Sequence, residues 1–177
     1  THVDKYPNAM ALSTVDSDNK PSSRMVLLKE WDEEGFVFYT HETSRKGTDM
    51  NANPHVALNF YWSELDRQIR IEGRVHNIDN THADMYFASR PRGSQLGAWA
   101  SKQSTEMTSK QEFEDAYKAL EKQYAGKEIP RPPHWVGYCV VPTYFEFWQE
   151  GESRLHDRLV YIYDEKAASW VKKRLYP

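Results

Sequence analysis

The order of apolar and polar side chains divides the chain into a strand-rich first part, a helical middle and a strand-rich end. Ala9 to Val15 reads as a short apolar strand, and Asp16-Ser17-Asp18-Asn19-Lys20-Pro21 after it is dense in residues that favour turns. Ser23 to Lys29 predicts a second strand, closed by Asp32-Glu33-Glu34-Gly35. Phe36 to Thr40 predicts a third, and the two together read as a hairpin. Ser44 to Asn53 predicts a short helix that Pro54 stops, and Val56 to Trp62 another strand. From Gln68 to Ile78 the alternation is clean. Ile69, Ile71 and Val75 take one face, and Gln68, Arg70, Glu72, Arg74 and His76 the other, as in a half-buried antiparallel strand.

The period then lengthens. Thr81 to Ser89 and Ser94 to Ser101 predict two helices, with Ser94 suited to cap the second. The clearest helix runs from Lys110 to about Tyr124. Ser109 and Glu112 form a capping-box pattern, Phe113, Ala116, Tyr117, Leu120 and Tyr124 make one apolar stripe, and Gly126 suits the stop. Past the extended connector Glu128-Ile129-Pro130-Arg131-Pro132-Pro133, strands resume at Trp135 to Val141, Tyr144 to Trp148, Arg158 to Tyr163 and Ser169 to Leu175. There is no repeat and no linker long enough to separate domains. The expectation is a single β-rich α+β domain over residues 1–177 with a few peripheral helices.

Composition narrows the function classes. The 177 residues carry 23 Lys and Arg against 26 Asp and Glu, a net charge of −3, which weighs against a general nucleic-acid binder. The longest apolar run, Leu159 to Tyr163, is too short to cross a bilayer, and no signal-peptide core follows Thr1. The lone cysteine, Cys139, excludes an internal disulfide and points to a reducing, cytoplasmic setting. The start at Thr1 rather than Met suggests that residues precede this sequence in the natural chain. Aromatic residues are abundant (6 Trp, 11 Tyr and 7 Phe), which suits an aromatic core, a subunit interface or a site for a flat ligand.

The familiar catalytic motifs are missing. No Gly-x-Gly-x-x-Gly, P-loop, Gly-x-Ser-x-Gly or His-Glu-x-x-His is present, and the histidines at 2, 41, 55, 76, 82, 134 and 156 lack metal-ligand spacing. What stands out is cations set beside hydroxyls and glycine. Arg24 and Lys29 bracket Met25-Val26-Leu27-Leu28, five positions apart, so a flat strand would turn them to opposite faces. Ser44-Arg45-Lys46 opens a helix, where backbone N–H groups favour an anion; an ordinary solvated helix start has the same pattern. In Ser89-Arg90-Pro91-Arg92-Gly93-Ser94-Gln95, Arg90 and Arg92 are free to meet a second anion; an ordinary basic loop has the same pattern. Arg154-Leu155-His156-Asp157-Arg158, if extended, puts Arg154, His156 and Arg158 on one face, with Trp148 nearby as a flat wall; a surface ladder with Asp157 as a salt-bridge partner has the same pattern. The residues thus describe a binder of flat, phosphorylated small molecules, either two different ones or one bisphosphate. They leave the reaction open, although a flavin mononucleotide would suit a phosphate cradle without a Rossmann fingerprint.

In order along the chain, these motifs resemble those of the pyridoxine (pyridoxamine) 5′-phosphate oxidase family. They are Arg24-Met25-Val26-Leu27-Leu28-Lys29, Phe38-Tyr39-Thr40, Ser44-Arg45-Lys46, Arg67-Gln68, Tyr86-Phe87 with Ser89-Arg90-Pro91-Arg92, Ser94-Gln95-Leu96-Gly97-Ala98, Ser101-Lys102-Gln103-Ser104, Glu146-Phe147-Trp148-Gln149, Arg154-Leu155-His156-Asp157-Arg158 and Arg174-Leu175. The resemblance runs from about Asn8 to Pro177. It implies an FMN-binding split β-barrel acting as a homodimer with flavin at the interface. The implied reaction oxidises pyridoxine or pyridoxamine 5′-phosphate to pyridoxal 5′-phosphate, with O2 as acceptor and H2O2 as product. Carried over by motif, Arg24, Met25, Val26, Leu27, Leu28, Lys29, Tyr39, Thr40, Arg45, Lys46, Gln68, Gln103, Ser104, Trp148 and Arg158 would contact FMN. Lys29, Tyr86, Arg90 and Ser94 would hold the substrate, and Arg154 and His156 would act on its ring as the catalytic pair. No metal is implied. The family's helical stretch ahead of Asn8 is expected to be absent, leaving a more open site. Val136-Gly137 stands where Gly-Gly is usual, and Leu175-Tyr176-Pro177 where Leu-Ala-Pro is. The alternatives are another FMN-dependent oxidoreductase on the same scaffold and a non-catalytic binder of FMN or pyridoxal phosphate.

Overall fold

A computed structural model of the chain describes residues 5–177, so Thr1, His2 and the two residues after them lie outside it. Nine strands and four helices follow in the order β1 (Ala9–Val15), β2 (Pro21–Leu27), β3 (Glu30–Trp31), β4 (Phe36–His41), α1 (Arg45–Ala52), β5 (His55–Trp62), β6 (Arg67–Asn77), α2 (Asn80–Ser89), α3 (Arg92–Ala100), α4 (Lys110–Gln123), β7 (Trp135–Gln149), β8 (Asp157–Asp164) and β9 (Ser169–Leu175). The strands form one sheet in the order β2-β1-β5-β6-β7-β4-β3, with β8 on β7 and β9 on β8. The β-rich α+β class expected from the pattern is what is observed. Among the described residues no helix is long and apolar enough to cross a membrane.

Turn chemistry decides the pairing. The Asp16 carboxylate accepts the N–H groups of Asp18 and Lys20, each at 2.9 Å, which closes the β1–β2 hairpin in the register Val15↔Pro21 to Ala9↔Leu27. Asp32 likewise accepts from Glu34 N (2.8 Å) and Gly35 N (3.2 Å), closing a hairpin between β3 and β4. The expected hairpin of the Ser23–Lys29 and Phe36–Thr40 segments is therefore corrected, since β2 pairs with β1. The chain leaves β2 after Leu27, where Leu28 N donates to Asn8 O and Lys29 N to Val37 O. Burial keeps alternating across that break, with Arg24 half-buried and Lys29 exposed, so the five-residue spacing leaves the two on alternate sides.

The expected strands on either side of Pro142 are one 15-residue strand, β7. All six residues from Trp135 to Val140 are buried, on both faces of the strand, and Pro142, which has no N–H to give, continues the extended path. At the start of α3 the cap is Pro91 rather than Ser94, whose N–H instead donates to Pro91 O at 2.8 Å within the first turn. At α4 the box is half formed. Ser109 Oγ accepts from Glu112 N, while the Glu112 carboxylate takes Thr108 N and Oγ1. Gly126, at φ +69, supplies the left-handed residue after the helix.

By contacts the chain groups into two compact units. The first holds residues up to 38, 49–76 and 139–177. Its core is made of inward positions of β1, β5, β6 and β8, including Met10, Leu12, Leu58, Ile71 and Val160. The second holds residues 39–48 and 77–138. Its core gathers Phe87, Leu96, Ala98, Ile129 and Trp135, with Tyr39, Tyr86, Tyr117 and Leu120 packed against them. Tyr117, Leu120 and Tyr124 of the stripe read on α4 are thus half-buried against this cluster.

Candidate functional site

In the second unit, β4 runs into the turn that starts α1, and the turn is built around a buried lysine. Ser44 Oγ donates to His41 O at 2.7 Å, which aims its lone pairs at Lys46. Lys46 is 8% exposed, and its Nζ donates to Thr40 Oγ1 (3.1 Å), Ser44 Oγ (3.1 Å) and Gln103 Oε1 (2.6 Å). Thr40 Oγ1 in turn donates to Gln103 Oε1 at 2.9 Å. Arg45 is exposed in the first turn of α1, which carries no acidic residue there. Thr40, Lys46 and Gln103 are therefore brought together, while Arg45, next to Lys46 in the chain, is exposed. Ser104 follows in a left-handed conformation at φ 72. Cationic donors at a helix N-terminus, held by neutral oxygen atoms, fit a phosphate group.

A second cluster in the same unit surrounds Arg90, the residue that ends α2. Tyr39 stacks on Tyr86 (4.1 Å, 13°) and on Trp135 (4.9 Å, 6°), and the Arg90 guanidinium lies 4.8 Å from the Trp135 ring and 5.5 Å from that of Phe87. Arg90 Nη1 is buried with no hydrogen-bond partner among the described residues. Burial lowers its pKa, and the neighbouring Tyr86 acts the other way. A buried guanidinium N–H without an acceptor is costly unless an anion arrives to take it. Arg92, expected to serve the same anion, is engaged elsewhere: its guanidinium donates to the carbonyls of Tyr124 and Lys127 beyond α4. Ser94 is exposed in the first turn of α3.

Behind Lys46, the imidazoles of His41 and His134 lie 4.8 Å apart. His41 Nδ1 is buried with no hydrogen-bond partner among the described residues. Its pKa falls to about 4, first through burial and then through the neighbouring His134, Lys46 and Arg90. His41 stays neutral at ordinary pH.

In the first unit, two buried carboxylates hold the arginines. Arg24 donates to Thr14 Oγ1 (2.7 Å) and Leu12 O (3.2 Å) and pairs with Asp49 at 3.5 Å. Glu146, 2% exposed, accepts from Arg158 Nε (2.7 Å), Arg70 Nη1 (3.1 Å) and the Tyr144 hydroxyl (3.1 Å). The bond from Arg158 leads the effects that hold its carboxyl below the ordinary 4.5. Gln68 and Trp148 share the wall of a cavity of about 370 Å³ with Arg67, Gln149 and Asp157.

The expectation that Arg154, His156 and Arg158 share one extended face is corrected. Glu152–Arg154 is a tight turn with Ser153 at φ 54 and Arg154 at φ 65, and β8 starts only at Asp157. Arg154 is exposed on that turn. His156 packs on Trp148 at 4.7 Å, and its Nδ1 accepts from Gly151 N at 3.3 Å. Arg158 is directed to Glu146 instead. Of the residues that build these clusters, Trp135, Asp49 and the His41–His134 pair were not singled out from the sequence. Only apolar context and ordinary charge patterning mark them there.

Comparison with known proteins agrees with the motifs. Residues 4–124 match the family described as pyridoxamine 5′-phosphate oxidase, and residues 135–177 match the pyridoxine 5′-phosphate oxidase C-terminal dimerisation region. The chain is 52% identical over 171 residues to a pyridoxine/pyridoxamine 5′-phosphate oxidase of Myxococcus xanthus, covering 97% of this chain and 82% of that one. It is 55% identical over 172 residues to one of Burkholderia multivorans, covering 97% and 80%. Among solved structures it resembles PhzG from Burkholderia lata 383, determined with tetrahydrophenazine-1-carboxylic acid. That similarity has a TM-score of 0.92 at 33% identity, over 98% of this chain and 84% of that one. An FMN-binding, pyridoxamine 5′-phosphate oxidase-related protein of Nostoc punctiforme shares the fold, with a TM-score of 0.77 at 14% identity over 98% and 89%. The fold is accordingly a split barrel with four helices. Motif order, fold and identity across nearly the whole length lead to one assignment, and the chain belongs to the pyridoxine (pyridoxamine) 5′-phosphate oxidase family.

Proposed function

We propose that this enzyme is an FMN-dependent oxidase of pyridoxine 5′-phosphate and pyridoxamine 5′-phosphate, acting as a homodimer in the cytoplasm. Residues 1–177 then serve as one functional domain. Pyridoxine phosphate and O2 give pyridoxal 5′-phosphate and H2O2; pyridoxamine phosphate also consumes water and releases ammonia. The observation that supports the reading is two cationic clusters in one unit, the Lys46 donor set and, beside Tyr86, an Arg90 Nη1 with no hydrogen-bond partner among the described residues. FMN and the B6 substrate each bring one phosphate.

The Lys46 donor set fits the cofactor's phosphate, with Arg45, Thr40, Gln103 and Ser104 around it. Arg24 to Lys29, Tyr39, Gln68, Trp148 and Arg158 complete the proposed FMN contacts. When bound, FMN supplies the two-electron acceptor that is reoxidised by O2. The protein's own part is binding and orientation. Arg90, Tyr86, Ser94 and Lys29 hold the substrate, and Arg154 and His156 steady its ring. Because His156 Nδ1 accepts from Gly151, the ring proton sits on Nε2, which is the atom able to donate to a substrate oxygen. A different flavin oxidoreductase would leave the Arg90–Tyr86 cluster without a role, and a carrier of FMN or pyridoxal phosphate has no need of both clusters.

The test is the visible spectrum of the FMN-loaded protein during anaerobic addition of pyridoxine 5′-phosphate. Bleaching of the flavin band that reverses on admitting air is expected. A flavin band indifferent to the substrate would overturn the reading in favour of another activity on this fold.

A further inference from the structure

Arginines in this chain commonly meet a carboxylate. Arg158 and Arg70 meet Glu146, Arg24 meets Asp49, and Arg131 meets Asp84. Arg90 differs. It is half-buried, yet no carboxylate lies within ion-pair distance among the described residues, and aromatic faces pack on it instead. The nearer is Trp135, 4.8 Å from the guanidinium carbon and 4% exposed.

Trp135 is itself held firmly. Phe87 meets its ring edge-on at 5.1 Å, and Tyr39 lies parallel to it at 4.9 Å. Its backbone is tied to the helix that Arg90 ends. Arg131 donates to Trp135 O at 2.7 Å while also bonding Asp84 and Asn80 of α2. Guanidinium and indole are thus fixed to one another through a single bracket.

The geometry points to Trp135 as a positioning residue: its indole face holds Arg90 in place of a carboxylate, so that the guanidinium's charge is kept for an incoming phosphate monoester. This rests on the functional reading above, in which Arg90 binds the substrate phosphate. The physical difference is simple. A carboxylate partner would both orient the guanidinium and cancel its charge, and a ligand would have to compete with it. An aromatic face orients the group through the ring quadrupole and leaves its N–H edge open to an oxyanion. The preference is for a dianionic phosphate ester over the same molecule without its phosphate.

The test compares Trp135→Leu, Trp135→Phe, Arg90→Ala and the Trp135→Leu/Arg90→Ala double variant, all loaded with FMN. Trp135→Leu is expected to raise KM for pyridoxine 5′-phosphate roughly tenfold, the scale of a desolvated cation–π contact, with kcat falling far less. Trp135→Phe should recover most of the loss. In the Arg90→Ala background Trp135→Leu should add nothing, because the residue it acts through is gone. An unchanged KM in Trp135→Leu, or an equal rise in both backgrounds, overturns the inference. Should Trp135→Leu fail to fold, Trp135→Phe carries the test. A rise of roughly two- to threefold that vanishes with Arg90→Ala supports the role, and one that persists refutes it. Calorimetric titration with inorganic phosphate separates the two readings. Phosphate binding weakened by Trp135→Leu, in a protein that turns over no B6 phosphate, would sink the proposed reaction and leave the tryptophan's role standing. Wild-type protein that binds no phosphate would sink both.

Discussion

Lys46 and Arg45 are adjacent in the chain, yet the fold treats them oppositely. The first is buried among oxygen atoms of Thr40, Ser44 and Gln103, and the second is exposed at the start of α1. A cation already positioned and partly desolvated contributes more to anion binding than one that must be drawn from water. Lys46→Met is therefore expected to weaken FMN binding on the order of ten- to a hundredfold, the scale of a lost charge-assisted hydrogen bond. Arg45→Ala should weaken it less; fluorescence titration of the flavin-free protein measures both. Arg154 is exposed on its left-handed turn and is proposed to act on the substrate ring rather than on the flavin phosphate, so Arg154→Ala should lower turnover while flavin content stays close to wild type. Equal loss of both would assign Arg154 to the fold instead. His41 makes a pH prediction. Its pKa drops from the ordinary 6.5 to about 4 on folding, so below pH 6.5 the unfolded chain takes up the proton first. Its share of stability is complete above pH 6.5 and is lost as pH falls towards 4. His41→Gln should flatten that part of a plot of thermal midpoint against pH.

At the level of elements, what is legible in the sequence is whatever local chemistry alone decides. The turn residues Asp16 and Asp32, the alternation of β6 and the stripe of α4 all correspond to elements within a few residues of their predicted bounds. What escaped depends on partners remote in sequence. Nothing local says that β2 pairs with β1, or that Pro142 lies inside one long strand. Ser109 shows how far a local signal carries, since it caps α4 through Glu112 N while the other half of the box turns to Thr108. Ser109→Ala should cost about 1 kcal/mol, visible as a lower unfolding midpoint and faster amide exchange in the first turn of α4. The candidate site divides the same way. Charged candidates such as Lys46 and Arg90 are marked by type and spacing. In sequence Trp135 only opens a predicted strand and Asp49 only falls inside a predicted helix, because their roles come from what the fold sets against them.

For the whole molecule, the C-terminal segment raises the question of what its apolar side chains meet. Phe145, Phe147, Leu159, Tyr161 and Trp170 line an open apolar hollow of about 470 Å³, with Phe147 and Trp170 each 40% exposed. These residues fall inside the stretch that matches the dimerisation region, residues 135–177. Exposed aromatic side chains gathered on one face are costly in water and are the usual core of a subunit contact. On the proposed dimer, this face is covered by a second copy, and sedimentation should report about twice the 20.8 kDa chain mass. Phe147→Glu with Trp170→Glu would place carboxylates that must stay hydrated in that contact, so the double variant should shift to the monomer. The same variant separates two sources of flavin affinity. If FMN sits between subunits, its retention should fall with protein concentration as the monomer forms. If each chain binds it alone, the monomer should keep its flavin, and the placement of the cofactor at the interface would be wrong.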